Sequence, residues 1–83
     1  MTMVLNGRQY KVENVDYGLT HMELECLRLT AHGVKAQEIS QQLNASEREI
    51  EILLYCVERK LNARNRLHAV GIAVAKGLIG IEL

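Results

Sequence analysis

Few side chains in this 83-residue chain have the type and spacing to do chemistry. Cys26 and Cys56 lie far apart, and neither belongs to a Cys-x-x-Cys pair. Neither has histidine at metal-ligand spacing, and His21, His32 and His68 are scattered. The cysteines read as buried or half-buried thiols of a reducing cytosol. No nucleophile, base and orienting group recur at useful spacing, and no glycine-rich loop could cradle a phosphate. Ser46 is better explained as a helix cap than as a nucleophile. The sequence therefore predicts no enzyme, no cofactor and no metal. What remains is charge. Arg59, Lys60, Arg64 and Arg66 form a basic cluster, with Lys35 and Arg48 upstream. Such a cluster either holds a phosphate backbone or is only a solvated surface.

The elements that must position these residues are short helices. Thr20 and Glu23 make a capping-box pattern, and Leu19 with Leu24 makes the matching hydrophobic staple. The first helix then carries two apolar stripes, Met22–Cys26–Leu29 and Leu24–Leu27–Ala31, so neighbours should cover it on two sides. Gly33 suits the position just past its end. A second helix is expected from about Lys35 to Leu43, with Ile39 and Leu43 inward. Asn44-Ala45 is the turn. Ser46 caps a third helix, and Glu49 completes a second capping-box pattern. Ile50, Leu53, Leu54, Val57 and Leu61 give that helix its inward face. Asn65 caps a fourth helix that ends before Gly77.

The first dozen residues predict a β-hairpin, because Asn6-Gly7 supplies the positive φ angles of a type I′ turn. Folding there pairs Leu5 with Arg8, Met3 with Tyr10 and Met1 with Val12. Met1, Met3, Leu5, Tyr10 and Val12 then share one face. A lone hairpin is marginal in water, so this one should dock on the helices or on a partner chain. The alternating tail Ile79–Leu83 is a candidate third strand. The fold class expected is mainly α: four helices with a helix-turn-helix, residues 19–83, preceded by an N-terminal β-hairpin extension, residues 1–18.

Length allows one small domain. With no Phe, Trp or Pro, its core must come from Leu, Ile, Val, Ala and Met. The formal net charge is zero, so no general basic field draws the protein to nucleic acid or membrane. The field is uneven, however: from Asn62 to Leu83, Arg64, Arg66 and Lys76 stand against Glu82 alone, a net of plus two. The Met1-Thr2-Met3 start shows no signal-peptide pattern. The longest apolar stretch, Leu67 to Ala75, is too short to span a bilayer, so a cytoplasmic protein is expected.

From Leu19 to Ile79 the chain resembles the LuxR (GerE-type) DNA-binding domain. The resemblance rests on Leu19-Thr20 leading to Glu23, Glu25, Cys26 and Leu27, on Ala31 and Gly33, and on Gln37-Glu38-Ile39-Ser40. It continues through Leu43, Ser46, Glu49-Ile50, Val57 and Lys60-Leu61 to Arg64-Asn65-Arg66-Leu67-His68-Ala69-Val70 and Gly77-Leu78-Ile79. The Arg-Asn-Arg and Ala-Val match favours it over region four of sigma factors, which shares the first three helices. The resemblance implies a bacterial transcription regulator whose third helix enters the major groove, whose second crosses the backbone and whose fourth forms the dimer contact. Lys35, Gln37, Ser46, Arg48, Glu51, Ile52, Tyr55, Arg59, Lys60 and Arg64 are then the expected DNA-binding residues. Glu51 could accept from cytosine N4, and Ile52 could cover a thymine methyl.

Three positions depart from the family pattern: Gln37 stands for a lysine, Glu49 for a threonine and Leu53 for a histidine. The third helix is slightly acidic, with Glu47, Glu49, Glu51 and Glu58 against Arg48, Arg59 and Lys60. Affinity for DNA comes mainly from cations on phosphates, so this chemistry opposes binding. Helix four has almost no polar face. One side must pack on the domain, and the other is covered either by a second copy, through Leu67, Val70, Gly71 and Val74, or by the hairpin and tail. At this length no receiver or ligand-binding domain of the kind that usually controls such modules is expected. Two functions are therefore expected to compete. One is a stand-alone regulator binding double-stranded DNA as a homodimer. The other is a protein-interaction module of the same fold that has lost DNA binding and meets a protein partner through helix four or the hairpin.

Overall fold

The computed structural model describes residues 2–5, 8–11 and 17–81. Four helices carry the fold: α1 (His21–Ala31), α2 (Ala36–Gln42), α3 (Glu47–Lys60) and α4 (Arg66–Ala75). α3 packs against all three others. Its inward face meets Leu19, Cys26 and Leu27 from the α1 side and Ile39 from α2, in one core closed by Ala69 and Ala73 of α4 and by Ile79. Ile50, Leu54, Val57 and Leu61 supply the α3 share, at the three- and four-residue spacing that keeps them on one helix face. α1 and α2 form the two elements before α3, and α2, the turn at Asn44–Ala45 and α3 make the helix-turn-helix.

Caps explain why these elements are so short. Thr20 Oγ1 accepts from the Glu23 N–H and the Glu23 carboxylate accepts from the Thr20 N–H, a complete capping box. Asn65 Oδ1 caps α4 by accepting from the His68 N–H. At α3 the expected second box closes differently. Ser46 Oγ accepts from the Glu49 N–H, but its own hydroxyl donates to Glu49 Oε1, so the carboxylate binds the hydroxyl in place of the Ser46 backbone.

All four helices stop in the same way. The residue after each C-cap is left-handed: Gly33, Asn44, Asn62 and Gly77. The next N–H reaches back five residues, Val34 to Leu29, Ala45 to Ser40, Ala63 to Glu58 and Leu78 to Ala73. That is the Schellman bond, which satisfies carbonyls the helix would otherwise leave open. Glycine adopts this geometry without strain, and asparagine is the side chain that tolerates it best. The chain thus turns sharply at four chosen residues, with no proline.

Two expectations need correction. Met22 does not lie in the core: it is exposed in the first turn of α1, and Glu23 takes the buried place at that end. The tail forms no third strand among the described residues, where the sheet has two strands. Instead Leu78 and Ile79 fold back on α4 through N–H bonds to the Ala73 carbonyl, and Ile79 enters the core. Burial of Ile79 in the core takes the place of the expected strand. At the N-terminus the backbone of β1 (Thr2–Leu5) pairs antiparallel with β2 (Arg8–Lys11), Leu5 opposite Arg8 and Met3 opposite Tyr10. The Asn6-Gly7 turn and the Met1–Val12 pair lie outside the described residues.

Candidate nucleic-acid interface

Lys35, Gln37, Ser46, Arg48, Glu51, Ile52, Tyr55, Arg59, Lys60 and Arg64 all lie on the surface. Lys35 is the N-cap of α2 and Gln37 sits in its first turn. Ser46 and Arg48 stand at the start of α3, and Arg64 in the connection to α4. Ile52 and Tyr55 are half exposed, at 51% and 56%, although both are large and apolar enough to be costly in water. They sit three residues apart on one face, with Glu51 beside them.

Most terminal charges on α3 follow its axis, with Arg48 and Glu58 the exceptions. Glu47 and Glu49 occupy the first turn, Arg59 and Lys60 the last. That order complements the helix dipole, which gives the acidic start a local structural reason. Arg59 lies over the Tyr55 ring, 5.9 Å from its centre. No ion pair among the described residues engages Lys35, Arg48, Arg59 or Arg64.

Two of the four clustered cations are engaged inside the fold. Lys60 Nζ donates to Glu23 Oε1 at 2.7 Å, across 37 residues of sequence. Glu23 is only 3% exposed. Burial pushes its carboxyl up, but the bond from Lys60 and those from Thr20 outweigh it, and the group is held below its ordinary value. Lys60 therefore ties the end of α3 to the start of α1. Arg66 is bound as well. Its Nη2 donates to Glu51 Oε2 at 3.1 Å, and its Nε lies 3.4 Å from Glu58 Oε2, an ion pair whose geometry falls short of a hydrogen bond. Sequence reasoning missed both contacts. The second left a trace, since Glu51 and Glu58 are seven residues apart and share a helix face. The first left none, because nothing local links Glu23 to Lys60. The Ser46 hydroxyl is likewise engaged, as donor and as acceptor, in capping α3.

On α4, Leu67 is 81% exposed, and Gly71 and Val74 are exposed beside it. Val70 is half-buried against the core. Leu67, Gly71 and Val74 follow at four and three residues, so they form one apolar stripe. Among the described residues no group of His, Cys, Asp and Glu could hold a metal ion, and no helix is long and apolar enough to cross a membrane.

A short helix laid across a longer one, with a tight left-handed turn between them and an exposed outer face, defines a helix-turn-helix domain. Residues 18–73 match the family described as bacterial regulatory proteins, luxR family, and the chain belongs to that family. It is 38% identical over 64 residues to the transcriptional regulatory protein YdfI of Bacillus subtilis (strain 168), covering 77% of this chain and 30% of that one. It is 32% identical over 80 residues to the transcriptional activator protein LuxR of Aliivibrio fischeri, covering 94% and 32%. The transcriptional activator protein AnoR of Acinetobacter nosocomialis is 39% identical over 61 residues, 74% and 26%. The chain thus spans about a third of the length of the curated relatives it matches.

Proposed function

We propose that this domain binds double-stranded DNA as a homodimer and regulates transcription in the bacterial cytoplasm. The observation that carries the proposal is the outer face of α3, where Glu51, Ile52 and Tyr55 stand exposed near Arg48 and Arg59, which no ion pair among the described residues engages. α3 enters the major groove, and Glu51, Ile52 and Tyr55 meet base edges. Lys35 and Gln37 of α2 and Ser46 and Arg48 of α3 lie toward one phosphate strand. Arg59 and Arg64 lie toward the other. Lys60 stabilises the fold first and reaches phosphate only by releasing Glu23. The α4 stripe of Leu67, Gly71 and Val74, with the half-buried Val70 at its edge, packs on its copy in a second protomer. Two α3 helices then read half-sites about 34 Å apart, one turn of the duplex.

Titrating the protein into a random-sequence duplex, followed by anisotropy at rising salt, tests this. Counterion release makes binding fall steeply with salt, and each phosphate-binding cation removed lowers the slope by about one. Arg48→Ala and Arg64→Ala should each do so. No binding at low salt refutes the proposal.

The same face supports a second reading, an interaction module that meets a protein. Ile52 and Tyr55 are apolar and exposed, and Glu47, Glu49 and Glu51 repel phosphate. On that reading α4 or the β1–β2 pair engages the partner, and DNA affinity is absent at every salt concentration.

A further inference from the structure

Glu58, Arg66 and Glu51 form a relay from the interior of the α3–α4 junction to the exposed face of α3. Glu58 is mostly covered, with its side chain 20% exposed, and Arg66 Nε beside it is buried. Glu51, at the other end, is half exposed. The guanidinium of Arg66 is planar and rigid, and the hydrogen bond to Glu51 on one edge with the ion pair to Glu58 on the other restricts its plane. Glu51 gives up one oxygen to Arg66 Nη2. A surface glutamate normally samples many rotamers, and ordering one costs entropy at the moment of binding. Here the Arg66 bond restricts Glu51 within the free domain.

We infer that Glu51 is a cytosine-reading residue and that Arg66, held by Glu58, is the positioning residue that aims it. The inference rests on the DNA-binding reading above. An ionised carboxylate is only an acceptor. In the major groove two bases offer a donor, cytosine at N4 and adenine at N6. Adenine places the N7 acceptor beside its amine, so a carboxylate there meets repulsion as well as a donor. Guanine and thymine present acceptors, O6 with N7 and O4, which a carboxylate also rejects. Cytosine alone offers a donor with no acceptor on its own major-groove edge, the nearest being O6 of the paired guanine. Arg66 thus leaves the basic cluster available to phosphate and becomes part of the base-reading apparatus. Because it is the first residue of α4, the helix proposed to join two protomers also sets the aim of the reading carboxylate.

The test uses the whole chain and duplexes selected from a random pool for tightest binding. Each base pair under α3 is then changed in turn and relative affinities are measured at one salt concentration. The expected result is a cytosine preferred about tenfold at one pair per half-site. Glu51→Gln, which adds a donor, should lose that preference and gain affinity for adenine. Arg66→Ala should reduce the cytosine preference to about twofold, and Arg66→Lys should restore part of it. A merely structural role for Arg66 would lower affinity for all sequences alike and leave the preference intact. That outcome overturns the positioning role, as does a salt slope lowered by about one with no change in preference. An unchanged base preference in Glu51→Gln overturns the whole inference. Failure of the unaltered protein to bind any duplex at low salt is a different result, which removes the DNA-binding reading itself.

Discussion

Replacing Lys60 with methionine leaves the Glu23 carboxylate in the interior with its main counter-charge removed. Glu23 is 3% exposed, and its Oε1 accepts both from Lys60 Nζ and from the Thr20 N–H. Breaking one side of a fully buried pair costs about 3–5 kcal/mol. Lys60 itself is 36% exposed, so water reaches the pair and discounts that figure to about 1–3 kcal/mol. For a domain of this size a loss near 2 kcal/mol lowers Tm by roughly 8–16 °C. Urea unfolding of the protein, Lys60→Met, Glu23→Gln and the double variant gives the coupling directly. Glutamine keeps a capping box, so Glu23→Gln removes the charge and little else. The coupling between the two sites should exceed about 1 kcal/mol. The pH dependence has a fixed sign. Glu23 is held below its ordinary value of 4.5 in the folded domain, so its contribution is complete above that value. It is lost as pH falls through the lower folded value. The gap between the protein and Lys60→Met should therefore narrow as pH drops below about 4.5. A variant that unfolds with the unaltered protein, while its DNA-binding salt slope drops by about one, would refute this reasoning and return Lys60 to phosphate.

Three further outcomes follow from the same structure. Leu67→Glu with Val74→Glu should convert the proposed homodimer to a folded monomer in sedimentation, because both side chains are exposed in the single domain and a charge there would meet its own copy in the proposed α4 contact; a dimer that persists in this variant excludes α4 as the contact. Asn62→Gly should raise stability by up to about 1 kcal/mol, since Asn62 is left-handed with φ 55°, whereas Asn62→Val should lower it by more; urea midpoints in the opposite order contradict the Schellman end of α3. In thiol labelling, Cys56 should react in the folded protein and Cys26 only on unfolding. Cys26 is fully buried, and burial, then Glu25 and Glu23, pushes its thiol up, so rapid modification of both thiols in native conditions would contradict the packing of α1.

The sequence by itself determined where α1 and α4 begin and end and where α3 begins. Thr20, Ser46 and Asn65 cap α1, α3 and α4 through bonds made within four residues, and Gly33 and Gly77 end α1 and α4 through backbone geometry alone. The inward face of α3 was equally legible, because Ile50, Leu54, Val57 and Leu61 repeat at the helical period. These are short-range effects, and local composition encodes them. The fate of the cations was not legible. Lys60 and Arg66 look in sequence like Arg59 and Arg64. Only the packing of α3 on α1 and on α4 brings Glu23, Glu51 and Glu58 to them. The same packing drew Ile79 into the core instead of a strand and left Leu67 in solvent. Charge pairing and burial depend on which surfaces meet, and residues 15 and 37 positions apart meet only once the chain has folded.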